Sequence, residues 1–142
     1  MKTLLLRGLA PLAQNPTPLS LEDVPEPKLS AGEVLIRVTR CGVCHTELDE
    51  IEGRTPPPRL PVILGHQVVG RIEQIGPLGQ FRPVRPFEQI GQRVGVARFA
   101  SACGECDYCQ SGQENLCPQF LATGRDVDGG YAEYMKVRAE FV

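Results

Sequence analysis

Six cysteines and two histidines are the residues of this 142-residue chain best suited to bind a metal ion. Four of the cysteines follow the spacing C-x2-C-x2-C-x7-C, at Cys103, Cys106, Cys109 and Cys117. Zinc takes four soft donors in a tetrahedron, and gaps of two residues let the backbone fold closely around one ion. The binding energy can replace a local hydrophobic core, which suits the segment 100–130, where hydrophobic periodicity is almost absent. The spacing therefore predicts a structural zinc ion held by these four thiolates.

An iron–sulfur cluster is the alternative for the same cysteines. The first three spacings and the Cys117-Pro118 pair resemble a ferredoxin segment. The last gap has seven residues here, whereas ferredoxins have three, and this difference favours zinc. Visible absorption would distinguish the two.

A second candidate metal site is formed by the remaining soft ligands, Cys41, Cys44, His45 and His66. We expect Cys44 at the end of one strand and His66 just before another, so that both side chains can reach one ion. A catalytic zinc takes three protein ligands and leaves a fourth position open, and Cys44 and His66 would supply two of the three. Two alternatives remain: His66 as an ordinary surface residue, and Cys41–Cys44 as a C-x-x-C redox pair, although no thioredoxin-like βαβ pattern surrounds them.

The elements that must position these residues are short and mainly β. A short helix is predicted directly after Cys44 by good helix formers, with Leu48 and Ile51 at i,i+3 and Gly53 as a stop. No βαβ alternation and no G-x-G-x-x-G fingerprint occurs, so we expect an irregular β-barrel or sandwich with an excursion loop. Alternating apolar residues predict strands over Lys2–Leu6, 19–24, 33–39, Val68–Ile75, 93–97 and 131–137.

Charge and composition exclude several classes of function. The net charge near −2 argues against a nucleic-acid-binding domain. No apolar run approaches the roughly 18 residues of a membrane span, and Arg7 interrupts the N-terminal leucines too early for a signal peptide. We therefore expect a cytoplasmic protein with reduced cysteines and with neither nucleic acid nor membrane as a partner.

The predicted helix carries Glu47, Asp49, Glu50 and Glu52, which we expect to form a solvated face.

The order of four motifs resembles a known family. The motifs are the segment from Cys41 to Leu48 (CGVCHTEL), the pair Gly65-His66, the four-cysteine segment, and the segment from Asp128 to Tyr134 (DGGYAEY). Together they resemble the N-terminal GroES-like domain of the zinc-dependent alcohol dehydrogenases in the medium-chain dehydrogenase superfamily. The resemblance implies one mainly β domain over residues 1–142, a GroES-like irregular β-barrel with short helices and a four-cysteine zinc lobe at about 100–120.

The resemblance also implies roles for individual residues. Cys44 and His66 match the thiolate and imidazole ligands of the catalytic zinc, whereas Cys41 matches no ligand. Thr46 matches the hydroxyl that hydrogen-bonds the alcohol and begins a proton relay, and His45 matches a position that contacts the cofactor pyrophosphate. Zinc would polarise the alcohol, and hydride would pass to NAD or NADP. The ligands of the structural zinc are matched by Cys103, Cys106, Cys109 and Cys117.

Three residues depart from the family pattern. Gln67 stands where Glu usually follows the ligand histidine, Glu47 where Asp is common, and Asp49 where a relay histidine is often found. Gln67 removes a negative charge behind the metal, which should make the site more electrophilic and loosen its hold on a cation. Whether Glu47 still orients His66 is left open by the sequence.

The third catalytic ligand and the Rossmann cofactor domain have no counterpart in these 142 residues. We therefore expect an N-terminal piece of an enzyme that oxidises small alcohols to aldehydes or ketones, inactive alone. We expect the face that would pack on the missing domain to be partly apolar, and we therefore expect the chain to self-associate. Two other functions stay open: a non-catalytic, zinc-stabilised binding or assembly module, and a related zinc-dependent aldehyde or polyol reductase.

Overall fold

The chain folds mainly into short β-strands, which confirms the predicted fold class. A computed structural model describes residues 1–77 and 89–142. Pro83 and Pro86 predict a surface loop over 81–88, and this segment lies outside the described residues. No helix in these two ranges is long and apolar enough to cross a membrane. The strands are β1 (Lys2–Leu6), β2 (Leu19–Asp23), β3 (Glu33–Cys41), β4 (Val62–Ile63), β5 (Val68–Ile75), β6 (Arg93–Val96), β7 (Phe99–Ser101), β8 (Leu121–Ala122) and β9 (Tyr134–Arg138). The helices are α1 (His45–Ile51) and α2 (Asp107–Gln110), with 3-10 turns at Glu114–Leu116 and Ala139–Phe141.

Within the described residues, the strands form three antiparallel sheets. Their strand orders are β2-β1-β4, β6-β5-β3-β9 and β7-β8. The segment 131–133 joins the first two sheets. On one side Leu4 N–H donates to the Tyr131 carbonyl at 2.8 Å, and on the other Val38 N–H donates to the Glu133 carbonyl at 2.9 Å. The two sheets are therefore continuous, and the third forms a stalk for the four-cysteine segment between β7 and β8.

In the part of the chain that the structure describes, buried apolar side chains form two hydrophobic cores. A fully buried Leu or Ile side chain stabilises the fold by about 1.5–3 kcal/mol. The smaller core contains Leu6, Ile51, Val62 and Leu64, with Tyr131 packed against it, and it ties α1 to the segment that precedes His66. The larger core lies on one face of the four-stranded sheet and contains Val34, Ile36, Val68, Ile72, Val96, Met135 and Val137.

Several expectations about local structure need correction. The strands β4, β7 and β8 and the helix α2 are not predicted, because two to four residues are too few for hydrophobic periodicity to identify an element. The last strand begins at Tyr134, since the residues before it pair with β1 instead. The solvated acidic face predicted for α1 is wrong, because Glu47 and Glu50 are 2% and 0% exposed.

Candidate metal centres

Cys44 lies at the N-terminus of α1. Its backbone is extended, with φ −134° and ψ −177°, and the helix begins at the next residue. The Cys44 N–H donates to Oε2 of Glu47 at 2.8 Å, which satisfies one of the amides that a helix start leaves without a partner. This bond fixes the thiol and the Glu47 carboxylate relative to one another.

His66 follows a glycine that is held tightly by a neighbouring segment. The amide of Gly130 donates to the Gly65 carbonyl at 2.9 Å, and that of Tyr131 donates to the Leu64 carbonyl at 3.0 Å. Gly65 has φ +95°, and a Cβ there would lie 2.6 Å from Cδ1 of Tyr131 and 2.8 Å from the Cys41 sulfur. Only glycine fits this backbone and this space without strain. The position of His66 thus depends on residues that lie more than sixty positions further along the chain.

The structure brings Cys44 and His66 together with metal-site geometry. The Cys44 sulfur and Nε2 of His66 are 3.5 Å apart. Two such ligands on one tetrahedral zinc ion, at about 2.3 Å for sulfur and about 2.0–2.1 Å for nitrogen, are separated by about 3.6 Å. The side chains of Cys44, Glu47 and His66 place one potential ligand atom each within 4.8 Å of the others. The donor types and spacing therefore fit zinc.

Glu47 stands behind the imidazole of His66. Its Oε1 is 2.9 Å from Nδ1 of His66, and the side chains are 2% and 6% exposed. The contact is within hydrogen-bond distance but poorly aligned, and neither atom has another partner among the described residues. A carboxylate at this place fixes the ring and its tautomer, leaving Nε2 free as a ligand. Burial lowers the pKa of His66, and the charge of Glu47 opposes this, so the neutral, metal-binding form is favoured.

The other predicted site residues lie around this pair. Thr46 is half-buried in the first turn of α1, and its hydroxyl makes no hydrogen bond within residues 1–77 and 89–142. His45 is exposed, with Nε2 3.6 Å from Oδ1 of Asp49. Gln67 is exposed and lies against Gly42, where a Cβ would overlap its Oε1. Cys41 lies outside the group of close ligand atoms.

The four remaining cysteines meet at one point beyond the β7–β8 stalk. The sulfur of Cys103 is 3.8 Å from that of Cys109 and 3.5 Å from that of Cys117, and the sulfurs of Cys106 and Cys109 are 3.6 Å apart. Thiolates on one tetrahedral zinc ion are separated by about 3.8 Å. The lobe therefore has the donor set and the spacing of a closed, structural zinc site.

Backbone amides donate to the sulfurs of this cluster, and at Cys103 they favour the thiolate form that binds metal. The N–H of Cys106 donates to the Cys103 sulfur at 3.4 Å, and the N–H of Gln119 donates to the Cys117 sulfur at 3.3 Å. Hydrogen bonds from the amides of Glu105 and Cys106 lower the pKa of Cys103 to about 6. Burial acts oppositely on Cys109 and raises its pKa to about 12, so Cys103 ionises before Cys109.

Comparison with known proteins places this arrangement among dehydrogenases. Residues 30–142 match the family described as the alcohol dehydrogenase GroES-like domain. The chain is similar to an alcohol dehydrogenase of Geobacillus stearothermophilus, with 48% identity over 126 residues, covering 88% of this chain and 36% of that protein. It is also similar to the acryloyl-coenzyme A reductase of Sulfurisphaera tokodaii, with 39% identity over 118 residues, covering 83% of this chain and 33% of that protein.

The fold comparison agrees with the sequence comparison. The thermostable alcohol dehydrogenase of Pyrobaculum aerophilum, solved with cobalt and zinc bound, has a TM-score of 0.83 and 27% identity to this chain. The match covers 99% of this chain and 40% of that protein. The chain thus spans about a third of the length of the two curated relatives.

Proposed function

Because this chain belongs to the alcohol dehydrogenase GroES-like domain family, we propose that it is the metal-binding catalytic domain of a zinc-dependent, NAD- or NADP-linked alcohol dehydrogenase. The observation that carries the proposal is the 3.5 Å approach of the Cys44 sulfur to Nε2 of His66, with a buried carboxylate behind the ring. A catalytic zinc ion keeps a coordination position open for water or substrate, whereas a structural zinc ion is enclosed by four protein ligands. A pair of ligands that leaves positions open therefore fits a catalytic site.

Each residue of the site has a part in the proposed reaction. A zinc ion held by Cys44 and His66 supplies Lewis acidity, which makes an alcohol easier to deprotonate near neutral pH. Glu47 holds the His66 ring through its Nδ1 side. The Thr46 hydroxyl is available to relay the alcohol proton, because it can pass its own proton outward to solvent as it receives the proton of the alcohol and is regenerated unchanged. The exposed His45 is available to a cofactor phosphate.

The 142 residues contain only part of the proposed machinery. Cys44 and His66 are two protein ligands where a catalytic zinc has three, and no dinucleotide fingerprint occurs in the sequence. We expect no turnover when the chain alone is incubated with primary or secondary alcohols, zinc and NAD+ or NADP+. Reduced cofactor formed at enzyme-like rates would contradict this expectation.

The test of the proposed site uses cobalt as a coloured substitute for zinc. The chain is first loaded with one zinc ion at the four-cysteine lobe, then titrated with Co2+, and thiolate-to-cobalt absorption is recorded before and after ethanol is added. We expect absorption that depends on Cys44 and changes with ethanol. Cys44→Ser should abolish it, whereas Cys41→Ser should not. An ethanol-insensitive spectrum, or one that survives in Cys44→Ser, would refute the proposal.

A reductase is the second candidate, because the acryloyl-coenzyme A reductase relative shares 39% identity over most of this chain. The same metal site would then act on a carbonyl compound. A purely structural assembly module is disfavoured, because it would gain nothing from burying the Glu47 carboxylate against the His66 imidazole, where Oε1 and Nδ1 face each other in poor alignment and have no other partner among the described residues. Binding of an aldehyde in preference to ethanol in the cobalt titration would favour the reductase.

A further inference from the structure

We propose that Glu50 and Arg98 are positioning residues, whose ion pair, buried at Glu50 and 31% exposed at Arg98, holds α1 so that Cys44, Glu47 and His66 keep their geometry. Oε1 of Glu50 accepts a hydrogen bond from Nη1 of Arg98 at 3.0 Å, and the Glu50 side chain is 0% exposed. The inference deepens the proposed function, since it concerns the same metal site, but the pair touches neither Cys44 nor His66 by hydrogen bond.

The two buried carboxylates of α1 lie on one face of the helix. Glu47 and Glu50 are three residues apart, which places both side chains on the same side. Glu47 reaches the Cys44 amide and His66, whereas Glu50 reaches Arg98 one turn further on. A helix of seven residues is too short to be stable by itself, so contacts of this kind decide where it lies.

Arg98 is anchored at the base of the four-cysteine lobe. It lies between β6 and β7, and its carbonyl accepts a hydrogen bond from the amide of Thr123, directly after β8, at 2.8 Å. β7 and β8 pair with each other, and Cys103 and Cys117 lie just beyond their outer ends. The Glu50–Arg98 pair thus connects the helix of one candidate metal site to the stalk of the other.

Stability alone does not explain the pair. Oε2 of Glu50 has no hydrogen-bond partner among the described residues, and burial raises the pKa of Glu50 despite the opposing effect of Arg98. Replacing a buried ion pair by apolar side chains of similar size is often neutral or stabilising. The charged pair restricts the orientation of α1, because a hydrogen bond depends on angle more strongly than an apolar contact does.

The double variant Glu50→Met/Arg98→Met tests the proposal, because it removes the ion pair without leaving a buried charge unpaired. The matched control is Arg7→Met/Glu22→Met, which removes an exposed ion pair on another sheet. Two quantities are measured in the zinc-loaded chain: the Co2+ affinity that depends on Cys44, and hydrogen exchange of the Cys44 amide before cobalt is added. The Ile72 amide, bonded to the Gln92 carbonyl at 3.0 Å, serves as an internal reference for exchange.

We expect the double variant to bind Co2+ at least about tenfold more weakly, the typical cost of losing support behind a metal ligand. Its Cys44 amide should exchange at least about tenfold faster, with Ile72 unchanged, and the control pair should alter neither quantity. Arg98→Lys, which keeps the charge, should retain most of the affinity. Unchanged affinity and exchange in the double variant would overturn the proposal.

The two readouts separate failure of this inference from failure of the proposed function. If the wild-type chain gives no Cys44-dependent cobalt signal, the proposed function fails, and the cobalt-free exchange of Cys44 still decides the positioning role. If the double variant does not fold, Glu50→Gln takes its place, with Arg98→Lys as the control that keeps the charge. Wild-type exchange rates at Cys44 in a folded Glu50→Gln would then overturn the proposal.

Discussion

Replacing Gly65 by alanine tests whether the backbone before His66 is as constrained as its surroundings indicate. Gly65 has φ +95°, where an L-residue costs about 1–2 kcal/mol. The new Cβ would also lie 2.6 Å from Cδ1 of Tyr131 and 2.8 Å from the Cys41 sulfur, closer than carbon atoms approach. Overpacking of this kind costs about 1–3 kcal/mol, so Gly65→Ala should destabilise the chain by about 2–5 kcal/mol in total.

Gly91→Ala is the matched control for this substitution. Gly91 has φ +86°, but no atom of the described residues lies within 4 Å of the position that its Cβ would take. Its alanine variant should therefore show only the backbone cost of about 1–2 kcal/mol. The difference between the two variants isolates the contact with Tyr131 and Cys41.

Urea unfolding followed by far-ultraviolet circular dichroism gives both free energies, since the chain has no tryptophan for fluorescence. We expect Gly65→Ala to be less stable than Gly91→Ala by about 1–3 kcal/mol. A cost for Gly65→Ala no larger than that for Gly91→Ala would refute the argument that Tyr131 and Cys41 leave no room beside His66.

Three further predictions concern charge and association. The Arg7 guanidinium lowers the pKa of Glu22 to about 2, so Glu22 stabilises the fold above its ordinary pKa and loses this effect as the pH falls. In carboxyl NMR titrations, Arg7→Gln should move the titration midpoint of Glu22 up toward 4.5, and an unmoved midpoint would contradict this. Burial raises the pKa of Glu50, so ionisation of Glu50 destabilises the fold as the pH rises through that pKa. In urea unfolding, Glu50→Gln should therefore lower the free energy of unfolding less at about pH 8 than at about pH 4. A larger loss at about pH 8 would count against a buried carboxylate. Val43 and Val69, which are 75% and 45% exposed beside the candidate site, should promote self-association, and a monomer at all concentrations in sedimentation would argue against it.

The sequence predicts which candidate ligands lie close together because the signals for them are local. The spacing of Cys103, Cys106, Cys109 and Cys117 requires only that a short segment folds on itself, and the structure brings these sulfurs together. Cys44 and His66 are further apart in sequence, but each adjoins a strand or helix that alternation and helix propensity identify.

The supporting residues could not be predicted in the same way. Charged residues such as Glu47 and Glu50 are typical of a solvated helix face. Nothing within α1 indicates that both carboxylates are buried in contact with residues outside the helix, His66 and Arg98. The need for glycine at position 65 could not be predicted, because it arises from contact with Tyr131, which is distant in the sequence. A capping pattern was nevertheless available for Glu47, since it stands three residues after the helix cap at Cys44. Long-range contacts thus decide which acidic residues belong to the site.

Metal content of purified variants tests most directly whether the chain has one closed and one open metal site. Four thiolates from one segment bind zinc with an apparent free energy on the order of 10 kcal/mol or more, whereas Cys44 and His66 need water or other ligands to complete the shell. Elemental analysis should find close to one zinc ion in the wild-type chain, most of it lost in Cys109→Ser and nearly all of it kept in Cys44→Ser. Two tightly held zinc ions, or zinc lost with Cys44 and kept without Cys109, would contradict this assignment of the two sites.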